Sequence, residues 1–230
     1  MSLERVKEYV LEHDINAEAV LVGGSYVTGG AVAGSDMDVV IIDDTIEHYC
    51  RESVNYEGIP LEIFKYNQSS LDMIMTTESF TGIPFMTRLT AESVILLQCK
   101  QTGSAIIQKA KKLLTEGPHP ISTSEIDSRR YQITDLLQDF EVERPFHETV
   151  YILIELLSDV QELICREKAC WSGKGKWAAR ALTEADPTFQ KRLEETVAHY
   201  FKTSKKEQLV QCVDEKLACY GGRLFAGYIE

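Results

Sequence analysis

The sequence predicts an α+β protein in two parts, a β-sheet unit with flanking helices over residues 1–118 and an α-helical bundle over residues 119–230. Three observations predict it. In the first part, short apolar runs bounded by glycine- and serine-rich turns alternate with helical periods, the pattern of strands and helices built around one sheet. Gly117-Pro118-His119-Pro120 then breaks every periodicity. Beyond that break each periodic stretch is helical and several carry capping signals at their starts.

The elements follow in order. Leu3, Val6, Tyr9 and Val10 recur at helical spacing across Ser2–His13, with Ser2 the expected N-cap. Ala19–Val22 is a short apolar run ending in Gly23-Gly24, a strand running into a tight turn. Met37–Ile42 is almost continuously apolar, as a central strand covered on both faces must be. Tyr49–Tyr56 and Ile59–Tyr66 flank the turn signal Glu57-Gly58 and read as a hairpin. Ser69 or Ser70 is expected to cap a short helix reaching about Thr77, Ser93–Cys99 reads as a further buried strand, and a helix from Gly103 has a basic end that suits its dipole.

In the second part, Ser122-x-x-Glu125 is a capping box that opens a helix running toward Val142. Pro145 starts another, with Val150, Leu153, Ile154, Leu157 and Val160 as its apolar stripe. Trp171-Ser172-Gly173 interrupts before a helix over about Lys176–Leu182. Asp186-Pro187 is an N-cap followed by proline at the first helical position. Ser204-x-x-Glu207 is expected to cap the fifth helix, ended by Gly221-Gly222.

Composition narrows the function classes. Hydrophobic residues make up 44% and charged residues 26%, enough apolar material for a core. No run approaches the roughly 18 apolar residues that a membrane helix needs. The opening MSLERVKEYVLEH carries charge where a signal peptide would be apolar, so a soluble, cytoplasmic protein is expected. None of the six cysteines forms a Cys-x-x-Cys pair, which argues against zinc and for reduced, buried thiols. The formal net charge of −12 divides into −8 over residues 1–120 and −4 over the remainder. Such a surface disfavours a long nucleic-acid partner, and a phosphate ligand in the first part would need metal ions.

The chemistry concentrates in Leu21–Ile42. Asp36 and Asp38 stand two apart at the start of a predicted strand, so they project from one face. Two carboxylates that close repel unless a cation sits between them. Magnesium takes one or two carboxylates plus substrate phosphates, and a Gly23-Gly24 turn followed by the Ser25 hydroxyl lets amides approach an anion. Turn and carboxylate pair together describe a metal–triphosphate site.

Gly24-Ser25, ten residues, then Asp36-Met37-Asp38 before a buried strand resembles the signature of the DNA polymerase β-like nucleotidyltransferase superfamily. The resemblance implies a mixed, twisted sheet flanked by helices. It also implies a third acid on a later strand, for which Glu62 in IPLEIFKY is the match and Glu57 the fallback. By the same resemblance, Asp36, Asp38 and Glu62 bind one or two Mg2+ ions. Gly23, Gly24, Ser25 and Ser35 form the nucleotide-binding turn, and Glu62 either completes the second metal site or acts as general base.

The helical part is similar, more loosely, to aminoglycoside and lincosamide nucleotidyltransferases, which implies a bundle that binds the acceptor. WSGKGKWAARAL resembles their lysine-bearing helix start, so Lys174 and Lys176 are candidate phosphate ligands, with Arg180 a turn beyond. Glu155 interrupts an apolar stripe and is an alternative general base, with Glu148 two turns before it. Arg129-Arg130 reads as a solvated face, and His147, Trp171 and Trp177 as structural.

The expected activity is magnesium-dependent transfer of a nucleoside monophosphate, AMP from ATP, to a hydroxyl of a small-molecule acceptor, with release of pyrophosphate. The acidic charge suits a cationic acceptor. A protein or tRNA hydroxyl stays open as acceptor, as does a non-catalytic nucleotide-binding or regulatory module of the same fold. Related two-domain enzymes often build the cleft between subunits, so the resemblance admits a homodimer.

Overall fold

A computed structural model describes residues 3–32 and 34–229. The expected cap at Ser2 lies outside the described residues. The chain divides into two compact units, Met1–Gly117 and Pro118–Glu230.

The first unit runs α1 (Leu3–His13), β1 (Ala19–Gly23), α2 (Ser25–Thr28), β2 (Met37–Ile42), β3 (Cys50–Tyr56), β4 (Ile59–Tyr66), α3 (Gln68–Thr81), α4 (Phe85–Glu92), β5 (Val94–Gln98) and α5 (Thr102–Glu116). The five strands form one mixed sheet in the order β3-β4-β2-β1-β5. β2 pairs antiparallel with β1 and parallel with β4, and β3-β4 is the expected hairpin.

The nearly continuous apolar run of β2 has the predicted cause. Met37, Val39 and Ile41 pack with Val6 and Val10 of α1, whereas Val40 and Ile42 pack with Phe64 and with Leu71, Met75 and Leu89 on the other face. A strand with both faces dry has no place for alternation. Asp38, two before Val40, therefore starts the strand on the α3–α5 face.

Three local expectations are corrected, and one helix is additional. β5 is an edge strand whose residues are exposed or half-buried, so its apolar run does not mark burial. α3 is capped by Asn67, whose side chain accepts from Ser70 N at 2.8 Å, not by Ser69 or Ser70. The basic residues of α5 stop short of its last turn, which ends in Glu116. α4 has no expected counterpart. Its first turn is held by the Glu78 carboxylate, which accepts from Met86 N at 2.7 Å and Thr87 N at 2.8 Å. That anchor comes from another helix and leaves no local signature. Burial pushes the Glu78 carboxyl up, against the opposing pull of these amides.

The second unit contains α6 (Thr123–Glu141), α7 (Phe146–Glu167), α8 (Lys176–Ala185), α9 (Pro187–Thr203) and α10 (Glu207–Ala218). Ile133, Leu137, Leu153, Leu156, Val160, Leu193, Leu209 and Val213 meet in its core. The capping box at Ser122 and Glu125 forms in both directions, and Asp186 caps α9 through Phe189 N at 3.0 Å. Ser204 does not cap α10. It ends α9 in the left-handed region at φ 59°, and α10 starts after Lys206. Of the six free thiols only Cys165 and Cys212 are buried, while Cys50, Cys99 and Cys219 are exposed, which corrects the expectation of buried cysteines. Among the described residues no helix is long and apolar enough to cross a membrane.

Candidate active site

The site is built where β1, β2 and β4 lie side by side. Gly23 of β1 pairs with Asp38, and Asp38 pairs in parallel with Glu62. Residues in register across a sheet share a face, so both carboxylates emerge beside the end of β1.

The two turn glycines have different jobs. A Cβ on Gly23 would come within 2.6 Å of Leu89 Cδ1 in α4, so this position is a close helix–strand contact. Gly24 stands at φ 72°, and a Cβ there would overlap Asp38 Oδ2. Only glycine meets both demands of the second position. Gly24 O then accepts from Val27 N and Thr28 N at 3.2 Å, turning the chain into the single helical turn α2 that begins at Ser25. The loop that follows is tied back onto itself. Tyr26 Oη donates to Ser35 O at 3.1 Å, and Ser35 Oγ accepts from Val32 N at 2.9 Å. Ser35 thus shapes the loop that delivers Asp36 and Asp38.

Asp38 is the electrostatic centre. Burial first, then the charges of Asp36 and Glu62, push its carboxyl up to about 6, with Arg51 opposing. A hydrogen bond with Glu62 works in the same upward direction. Three acids with one cation among them form a cluster that a divalent ion would relieve.

Arg51 is the residue that motif reading missed. Its Nε donates to Glu62 Oε1 at 2.8 Å, a second nitrogen joins the ion pair, and its guanidinium lies 5.3 Å from the centre of the Phe64 ring. The Glu62 side chain is 14% exposed and that of Arg51 61%, so the arginine covers the carboxylate from the solvent side. The signal was in the hairpin. With Glu57-Gly58 as the turn, Ser53 falls opposite Glu62, and Arg51 is its diagonal neighbour on the same face. Among the described residues no three Asp, Glu, His or Cys side chains converge tightly enough to form a metal cage. Asp36 and Asp38 suit magnesium's habit of taking two carboxylates and completing its shell from phosphate and water, and Glu62 is engaged by Arg51.

Other candidates are placed elsewhere. Glu57 sits in the hairpin turn at φ 50° and pairs with Arg5. Arg129 pairs with Asp159 and Glu162, and Arg130 with Asp127 and the carbonyls of Gly221 and Gly222, so both tie the helical unit together rather than facing solvent. Glu148 lies 3.8 Å from Arg144. Trp171 is buried, whereas Trp177 is half exposed with the Arg180 guanidinium 4.6 Å from its ring centre. Lys174, Lys176 and Glu155 are exposed in the helical unit, and Lys174 and Glu155 line one groove there.

No protein-family model matches the sequence, and no curated protein matches it. Among solved structures the chain is similar to a nucleotidyltransferase-like protein from Exiguobacterium sibiricum 255-15, at a TM-score of 0.52 and 10% identity, covering 95% of this chain and 73% of that one. At that identity the likeness is one of fold. The chain has a nucleotidyltransferase-like α+β fold with a C-terminal helical region.

Proposed function

We propose that the protein is a magnesium-dependent nucleotidyltransferase that moves AMP from ATP to a hydroxyl of a small-molecule acceptor. The observation that carries this reading is the contact between the Gly24 turn and Asp38, with Glu62 in register beside it. A glycine turn that packs against a carboxylate pair suits a ligand that brings both phosphate and a cation.

Asp36 and Asp38 would hold magnesium, which when bound supplies charge stabilisation for the transferring phosphoryl group. The Gly24 turn and the Ser25 hydroxyl bind the outer phosphates and fix the α-phosphate in line with the acceptor. The acceptor oxygen bonds to the α-phosphorus, the bond to the bridging oxygen breaks, and pyrophosphate departs with that electron pair. Glu62 takes the acceptor proton, and Arg51 orients its carboxylate. The acidic surface supports a cationic acceptor.

The engagement of Glu62 by Arg51 favours a second reading, a nucleotide-binding module without turnover. One experiment separates them. Purified protein is incubated with magnesium and each labelled nucleoside triphosphate across an acceptor panel, with Asp38→Ala in parallel. Acceptor-dependent pyrophosphate release that vanishes in Asp38→Ala is expected. Release that survives the substitution removes Asp38 from the site. A magnesium-dependent thermal shift with triphosphate, without turnover on any acceptor, selects the module.

A further inference from the structure

The helical unit has a groove of about 720 Å³ bounded by α7, α8 and α9. That is the size of a small-molecule site rather than a packing gap. α7 contributes the row Ile154, Leu157 and Gln161, spaced to share one helix face. α9 contributes Leu193 and Val197, with Glu194 between them. Most of the lining is therefore apolar.

Its polar groups are few and specific. Gln161 is only 2% exposed. Its Nε2 donates to Cys165 Sγ at 3.3 Å, but its Oε1 has no partner among the described residues. A buried amide oxygen without a donor costs free energy that a ligand N–H would recover. Glu155 on α7 and Glu194 on α9 bring two carboxylates to the same groove, and no ion pair to a described residue engages either. Among the described residues Lys174, before α8, is the one cation of the lining, so the groove is net negative.

We propose that this groove binds an apolar organic amine. The hydrocarbon body lies against Ile154, Leu157, Leu193 and Val197. The ammonium group is held by Glu155 and Glu194 and donates to Gln161 Oε1. The apolar wall then loses water, the orphan acceptor gains a donor, and the two carboxylates gain a counter-charge. The site stands on the helical unit alone and does not depend on the nucleotidyl-transfer reading.

The test is calorimetric titration of the full chain, without nucleotide or magnesium, using three probes that share a naphthyl body: 2-(1-naphthyl)ethylamine, 2-(1-naphthyl)ethanol and 1-naphthylacetic acid. The amine should bind roughly tenfold or more tightly than the alcohol, as a charge-assisted hydrogen bond requires, and the acid should bind weakest. The double variant Glu155→Gln/Glu194→Gln should remove that preference and leave the alcohol unchanged. Gln161→Leu should weaken the amine by about tenfold if it folds, and the two surface glutamates decide the matter if it does not. No binding of the amine, equal binding of amine and alcohol, preference for the acid, or an amine affinity untouched by the double variant would each overturn the proposal.

Discussion

Asp38 and Asp186 are the same residue in opposite circumstances. Burial raises the carboxyl of both, and their neighbours then decide the outcome. Around Asp38 the charges that act most strongly are those of Asp36 and Glu62, and its carboxyl rises to about 6. Around Asp186 stand Lys216 Nζ at 2.7 Å, Lys168 Nζ at 3.2 Å and the amide of Phe189, and its carboxyl falls to about 2. The helical unit has neutralised its acid internally, while the sheet unit has gathered acids and left them one arginine. A protein that needed Asp38 for folding would have surrounded it as it surrounds Asp186. What remains unneutralised in a fold is what a ligand is expected to complete.

Substitutions should separate the two regions. Asp38→Asn should lower nucleotidyl transfer by about 10³-fold or more. In magnesium-free buffer at pH 7 the same variant should be no less stable than wild type, and more stable by about 1 kcal/mol, because it removes repulsion within the cluster. Steady-state rates and chemical denaturation check both. Gly24→Ala should lower transfer by about 10²-fold and cost about 1–3 kcal/mol, since it combines an unfavourable φ with overlap on Asp38. A variant of wild-type stability would mean that the turn relaxes freely and that the contact with Asp38 is incidental.

Asp186→Ala should do the reverse, leaving transfer unchanged while the helical unit loses about 2 kcal/mol through its cap and ion pairs. Its pH dependence follows from the lowered carboxyl. The stabilisation is fully present above the ordinary carboxylate value and is lost as pH falls through about 2. Thermal melts of wild type and Asp186→Ala should therefore differ at neutral pH and converge in strong acid. The smallest effect is expected at Arg51. Arg51→Met should cost under about 1 kcal/mol, as exposed ion pairs do, yet slow transfer by about tenfold if it orients Glu62. Equal rates would make the pair a surface ornament.

The parts of this molecule that local chemistry dictates were legible in the sequence. The capping box at Ser122, the Asp186-Pro187 start, the hairpin around Glu57-Gly58 and the doubly covered strand Met37–Ile42 each carry their reason within a few residues. What was not legible depends on partners outside the element concerned. α4 begins on the carboxylate of Glu78, a residue of α3. β5 has a buried strand's composition but lies at the sheet edge, a fact of strand order and not of its own residues. Ser204 fits a cap motif, yet a left-handed turn ends α9 there first. In the candidate site, the spacing of Gly24, Asp36 and Asp38 picked out the turn and the carboxylates, and the hairpin register places Arg51 diagonal to Glu62, but Gly23's contact with α4 needed the assembled unit.

On the proposed reading, the Gly24 turn and the Asp38 cluster form one site for a metal-bound triphosphate. Calorimetric titration of ATP into wild-type protein, Asp38→Asn and Asp186→Ala, each with and without magnesium, tests it most directly. Binding should require magnesium, vanish in Asp38→Asn and be unchanged in Asp186→Ala. Magnesium-independent binding, or full binding by Asp38→Asn, would contradict it.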